Sequence, residues 1–257
     1  MPSYAVLGAT GNTGQSLLNV LSQSPDNEIH AYVRSKSKLL RLSPELSAAQ
    51  NVRIFEGDLD DVSLISECIS GTTAVFMAVA VSDNVPGCTI AQDTAHVVVA
   101  AMEKLRSRDP DVKLPRIIVL SSASLDDYLC RDLPHFVHWM LFTCCSNVYA
   151  DLIKAEQYLR SQESWITSTF IKPGGLVHDD QKGHMLSTET QQTFLSFLDL
   201  AAGMVEVADT EGDKWDMKNV SVLPTAKDVK FEWMAPINLV KGLLCHFFPS
   251  AYLFLKS

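Results

Sequence analysis

Three glycines, Gly8, Gly11 and Gly14, fall in the segment YAVLGATGNTGQSLL at residues 4–18, after an apolar run and before one of helical character. A glycine turn between a buried strand and a helix lets backbone N–H groups approach a pyrophosphate, and the helix adds the positive end of its dipole. The spacing is GxxGxxG, not the GxGxxG of the usual dinucleotide fingerprint, so the strand-turn-helix context carries the reading. Thr10, Asn12 and Thr13 lie inside the same turn and join the glycines as candidate cofactor contacts. The plain alternative is a tight turn that packs a helix close to a strand.

The residue 20 positions past Gly14 is Arg34, where the second strand of such a unit ends beside the adenosine ribose. An acidic residue there would accept from the 2′-hydroxyl of NAD. An arginine, followed by Lys36 and Lys38, instead suits the 2′-phosphate of NADP through charge-assisted bonds. A solvated basic turn is the alternative. In GDLDD at residues 57–61, Asp58 is placed to meet the adenine amine with Leu59 beside it, or one of the aspartates caps the next helix. Ala78 and Val79 are small and apolar, as needed where a strand ends beside a cofactor.

Proton chemistry is less regular. In a Tyr-x-x-x-Lys pair the lysine ammonium lowers the tyrosine pKa, so that the phenol can exchange the proton that accompanies hydride transfer. Here Tyr149 is followed by Lys154, one residue too far. Five residues of helix subtend about 140°, so on a regular helix the two side chains do not share a face. Tyr149 is then a catalytic acid or a buried tyrosine bonded to backbone, and Lys154 is open to an i,i+3 salt pair with Asp151. Ser122, Ser124, Tyr128, His135 and His138 are the other proton-bearing candidates.

The elements that must hold these groups alternate along the chain. Short runs rich in Val, Ile and Ala at residues 4–7, 29–33, 52–55, 74–79 and 116–120 predict strands, each followed by a segment of helical length. Helices are predicted over 12–23, 36–47, 61–69 and 90–107, and a long helical stretch over 133–161. Residues 165–177 predict a sixth strand ending in a turn at Pro173, Gly174 and Gly175. A loop with a short strand follows over 179–193, then a helix over 196–209 entered through Asp199, and a late strand over 219–223. Apolar strands without strict alternation are buried on both faces, so the expectation is an α/β, Rossmann-like, doubly wound parallel sheet. One domain over 1–257 is expected, with the core over about 1–175 and a small substrate lobe over about 176–257.

Composition narrows the partners. The chain has 257 residues, of which 47% are hydrophobic, and its charge is 21 minus 30, or −9, which disfavours nucleic acid and anionic membrane surfaces. The six cysteines show neither CxxC pairs nor ligand-like spacing, so no metal site is expected and the thiols read as reduced. The charge-free stretches at 133–150 and 242–255 are poor membrane spans, and the N-terminus has no signal pattern; a cytoplasmic protein is expected. FVHWMLFTCC (136–145) and LLCHFFPSAYLF (243–254) are left with three uses: the wall of a pocket for a flat aromatic ligand, core packing, or a homodimer interface.

GATGNTG, YVRSKSKL, EGDLDD, VLSSAS, KAEQYLR and FIKPGGL occur in the order found in atypical short-chain dehydrogenases, the NAD(P)-binding group that includes NmrA-like proteins. LDLAAGMVEVAD and KNVSVL are similar to that group's C-terminal half, and the whole chain resembles the averufin oxidase-type oxidoreductases of fungal polyketide pathways. The resemblance implies NADP(H) on a Rossmann core and a substrate at the carboxyl ends of the strands, under the C-terminal lobe. It implies that Ser121 or Ser122, Lys154, Pro173, Gly174 and Gly175 face the nicotinamide ribose or the substrate, with Tyr149, Ser122 or an ordered water as proton donor. The expected substrate is an aromatic polyketide of anthraquinone or xanthone type, reduced at a carbonyl or quinone by NADPH. An isomerase, dehydratase or epoxide-rearranging enzyme that keeps the cofactor is the alternative, and an NADP-binding sensor without turnover is another.

Overall fold

The structure, a computed structural model, describes residues 1–81, 83–230 and 232–255. Its first six strands are β1 (Ser3–Leu7), β2 (Glu28–Val33), β3 (Val52–Glu56), β4 (Ala74–Met77), β5 (Arg116–Leu120) and β6 (Ser168–Ile171). They alternate with α1 (Asn12–Leu21), α2 (Lys36–Leu42), α3 (Val62–Ile69), α4 (Ile90–Arg108), and the consecutive α5 (His135–Cys144) and α6 (Ser146–Ser161). The chain continues through β7 (Leu176–Val177), β8 (His184–Ser187), β9 (Leu195–Ser196), α7 (Phe197–Asp209), β10 (Asn219–Pro224), α8 (Ala235–Phe247) and α9 (Tyr252–Leu255).

Eight strands form one sheet in the order β3-β2-β1-β4-β5-β6-β10-β8. Every pairing in it is parallel except that of β8 with β10. Val6 lies between Ala31 and Phe76, so β1 is the central strand from which the chain winds first one way and then the other. The reversal leaves a crevice between the ends of β1 and β4, where ligands of such sheets bind. Both faces are covered: Leu17 and Leu21 of α1 pack with Leu200 and Met204 of α7 on one side, and Ile65 of α3, Val98 of α4 and Leu159 of α6 lie on the other. The expected α/β doubly wound sheet is the observed one.

Several boundaries differ for physical reasons. The helix expected over 36–47 ends at Leu42, because Pro44 disfavours helical backbone at Ser43, which takes φ −135° and ψ 76°; one 3-10 turn follows. The stretch over 133–161 is two helices. The Asn147 amide donates to Asn84 Oδ1 at 2.8 Å, so a residue from the loop after β4 caps α6 and lets it start afresh. The strand expected over 165–177 divides into β6 and β7 around the turn at 172–175. α7 is entered through Ser196 as its N-cap, not through Asp199: the Ser196 hydroxyl oxygen accepts the Asp199 amide at 2.9 Å and its proton goes to the Asp199 carboxylate at 2.8 Å. Asp199 also accepts the Gly183 amide at 2.8 Å, which ties the loop before β8 to this helix.

Within residues 176–255, α7 and β10 belong to the helix layer and the sheet, while α8 packs against α5. Residues 256 and 257, the end of the expected lobe, lie outside the described residues. Among the described residues no helix is long and apolar enough to cross a membrane.

Candidate functional site

The turn after β1 is shaped by what it excludes. Gly8 has φ +88°, and a Cβ there would stand 2.7 Å from the Ala78 carbonyl oxygen, so the ends of β1 and β4 approach more closely than a side chain permits. A Cβ at Gly14 would run into the Gly8 carbonyl oxygen and reach 2.8 Å from Ala9 Cα, so the first turn of α1 is pressed onto the glycine turn itself. Gly11 is the N-cap of α1 and has no side chain with which to bond the helix's first amides. These features fit a diphosphate, which needs close backbone approach and free amides at a helix start.

Gly8, Thr10, Gly11, Arg34, Lys38, Leu59, Ala78 and Val79 line one cleft of about 260 Å³ along this turn. Arg34 and Lys38 are exposed at its β2 end. Ser35 starts α2 by accepting the Lys38 amide at 3.2 Å, which brings Lys38 round to the side of Arg34. Thr13 and Gly14 are buried in the first turn of α1, and Asn12 is exposed. Asp58 is exposed and offers its backbone carbonyl to the Tyr32 hydroxyl at 2.6 Å. Of the GDLDD aspartates it is Asp61 that caps α3, accepting the Leu64 amide at 2.9 Å.

Ala80 and Val81 line both this cleft and a second hollow of about 270 Å³, walled by the end of β5, by α6 and by α8. Ser121, Ser122 and Tyr149 line it, and the Ser122 hydroxyl donates to the Tyr149 phenol oxygen at 3.0 Å. Burial pushes the Tyr149 phenol up to about 12, with Cys145 adding to the rise and the Ser122 hydroxyl opposing it. The group is therefore protonated at neutral pH, and can give a proton more readily than take one. Lys154 is exposed and is not among the residues lining either hollow. On the cavity side of α6, the residue one turn after Tyr149 is Leu152.

Residues 8–211 match the family model described as NAD(P)H-binding. The chain belongs to the NAD(P)H-binding family. It is 57% identical over 252 residues to oxidoreductase ordB of Dothistroma septosporum, covering 98% of this chain and 94% of that protein. It is 56% identical to oxidoreductase aflX of Aspergillus parasiticus, with the same coverage of 98% and 94%. Among solved structures, a short-chain dehydrogenase/reductase of Veillonella parvula in complex with NADP aligns with a TM-score of 0.60 at 18% identity, over 89% of this chain and 97% of that one. ChuY, an anaerobillin reductase of Escherichia coli O157:H7, aligns with a TM-score of 0.64 at 17% identity, over 90% and 100% of the two chains. These structures share the fold.

In this NAD(P)H-binding chain, the remaining expected residues take other places. Pro173 is buried and its carbonyl accepts the Ala123 amide at 2.9 Å. Gly174 and Gly175 pack against the segment 191–194, where a Cβ at Gly174 would stand 2.7 Å from the Gln192 carbonyl oxygen. Neither lines the cleft or the cavity; their neighbour Leu176 lines the cavity. His138 bonds the Ser124 carbonyl at 2.9 Å, and Tyr128 and His135 are exposed. The apolar segments of α5 and α8 are two-sided. Cys144, Cys145 and Cys245 line the cavity, whereas Phe136, Trp139 and Phe247 are exposed.

Asp151 does not pair with Lys154. Its buried carboxylate accepts the Ala91 and Gln92 amides at 2.9 Å each, filling the start of α4 from α6, and takes the Cys88 thiol at 3.2 Å. Asp151→Ala is expected to lower stability by roughly 3 kcal/mol, from a lost cap and two stranded amides, in a urea titration; a change under about 1 kcal/mol contradicts the assignment. Sequence reading missed a second buried pair. The Lys172 ammonium lies 2.6 Å from Glu156 and both side chains are nearly inaccessible. The signal was present, since a lysine closing an apolar strand must find a partner when that strand is buried.

Proposed function

We propose that this chain is an NADPH-dependent oxidoreductase that reduces a carbonyl or quinone of an aromatic polyketide, of anthraquinone or xanthone type. The observation that carries this reading is that cleft and cavity share the wall residues Ala80 and Val81, with the Ser122–Tyr149 pair also on the cavity wall. The fungal relatives named as oxidoreductases support it, as does the NADP complex of a protein of the same fold.

When bound, the cofactor supplies hydride. The chain supplies the rest. Amides at the start of α1 hold the diphosphate, and Arg34 and Lys38 form charge-assisted bonds with the 2′-phosphate. Leu120, Val148, Leu152 and Leu176 give a flat ring an apolar bed and exclude water. Tyr149, protonated and oriented by Ser122, donates to the carbonyl oxygen as carbon gains hydride, so one hydride and one proton are added. The Arg34 role has a direct check. Arg34→Asp is expected to weaken NADP about 10- to 100-fold in calorimetry and to improve NAD binding. Unchanged NADP affinity removes the 2′-phosphate assignment.

A second reading keeps the cofactor without net hydride transfer, as in an isomerase, dehydratase or epoxide-rearranging enzyme. It is favoured by Leu152, which leaves Tyr149 without an adjacent ammonium on the cavity side of its helix. One experiment separates the readings: purified protein is mixed with NADPH and candidate anthraquinones or xanthones. Loss of NADPH absorbance in step with product supports reduction. Product without that loss establishes the second reading, and tight binding with no product points to an NADP sensor.

A further inference from the structure

Beneath the cavity lies an ion pair that the proposed reaction does not touch. Lys172, the residue after β6, has 1% of its surface exposed, and its Nζ stands 2.6 Å from Glu156 Oε1 on α6. The same carboxylate oxygen accepts the Ser121 hydroxyl, and Arg160 comes within 4.0 Å of the other oxygen. Glu156 follows Tyr149 by seven residues, close to two helical turns, so both project from one side of α6. Ser121 adjoins Ser122, whose hydroxyl holds the Tyr149 phenol. These contacts close a ring that runs from the phenol through Ser122, Ser121 and Glu156 and back along α6. Lys172 ties the ring to β6, and the next residue, Pro173, accepts the Ala123 amide on the far side of the Ser122 turn.

Stability alone does not account for such a pair. Withdrawing two charges from water costs about as much as their attraction returns, and apolar residues of similar volume often serve a core equally well. A charged pair at hydrogen-bond distance adds direction, which apolar contact does not. We propose that Glu156 and Lys172 are positioning residues, which hold Ser122 and Tyr149 in proton-donating register on a helix whose cavity side carries no lysine. This rests on the reading of Ser122 and Tyr149 as the proton donor.

The test uses full-length protein saturated with NADP and labelled with carbon-13 at tyrosine Cζ, whose chemical shift reports the hydrogen bond at the phenol oxygen; Tyr149→Phe assigns the resonance. Ser122→Ala marks where that resonance falls when the bond is lost. Glu156→Leu/Lys172→Met removes both charges together, so that neither is stranded, and Ser121→Ala opens the ring while leaving the ion pair intact. Both are expected to stay folded by circular dichroism and to move the Tyr149 resonance towards its Ser122→Ala position. NADPH-dependent reduction of menadione is expected to lose about 10-fold or more in kcat with little change in KM. A resonance that stays at the wild-type position in folded variants overturns the proposal, and if the paired variant does not fold, Ser121→Ala decides. The resonance needs no turnover, so a wild-type protein that never consumes NADPH defeats the proposed reaction and leaves this test standing.

Discussion

Gly14→Ala is expected to abolish measurable NADP binding, while Gly11→Ala retains it. A methyl at position 14 overlaps the Gly8 carbonyl oxygen and comes within 2.8 Å of Ala9 Cα, and both are backbone atoms that no rotamer change can move. The turn must open, and the amides at the start of α1 lose their common aim. Charge-assisted bonds to a phosphate contribute about 1.5–3 kcal/mol each, so losing two weakens binding by roughly 100-fold or more. A methyl at position 11 meets only the Gly8 carbonyl oxygen, at 3.4 Å, which is an ordinary contact. Calorimetry on the two folded variants measures the difference. Equal affinities would mean that the diphosphate does not lie on this turn.

Tyr149→Phe is expected to lower kcat for NADPH-dependent reduction by about 100-fold or more, the usual size of a general-acid contribution, with NADPH affinity nearly unchanged. Ser122→Ala should cost less, and the double variant should cost no more than Tyr149→Phe, because the two groups act as one unit. The pH dependence follows from the same environment. Burial holds the phenol protonated to about 12 from an ordinary value of 10.0, so the rate is expected to stay flat from neutral pH past 10 and to fall only as the pH nears 12. Stability starts to fall earlier, from about pH 10 to about 12, since the unfolded chain loses this proton near 10.0 while the fold retains it to about 12. A rate that climbs from pH 7 to 10 would identify Tyr149, or another group, as a base.

The sheet was readable because its signals are local. Apolar runs of strand length separated by helical segments leave few topologies, and the glycine turn marks where the winding begins. The cleft residues Gly8, Gly11, Arg34, Lys38 and Ala78 follow from position in that pattern. Helical geometry likewise separates Tyr149 from Lys154, and the structure places them apart. What escaped was set by residues distant in sequence. The break before α6 depends on Asn84, 63 residues away from Asn147. Asp151 reaches amides 59 and 60 residues back. The place of β10 beside β6 follows from pairing along the sheet, which no short window contains.

Asp151 has one more consequence. Gly11 before α1 and Ile90 at the start of α4 both line the cleft, and a carboxylate from within the protein already takes the amides at the start of α4. The start of α1, whose N-cap Gly11 has no side chain, is left for an outside anion. On the proposed reading, this asymmetry gives a two-headed nucleotide a single polarity: the adenine half is directed to the side of β2 and β3, and the reactive ring to the side of Tyr149. The handedness of hydride delivery would then be inherited from an internal carboxylate that never touches the nucleotide.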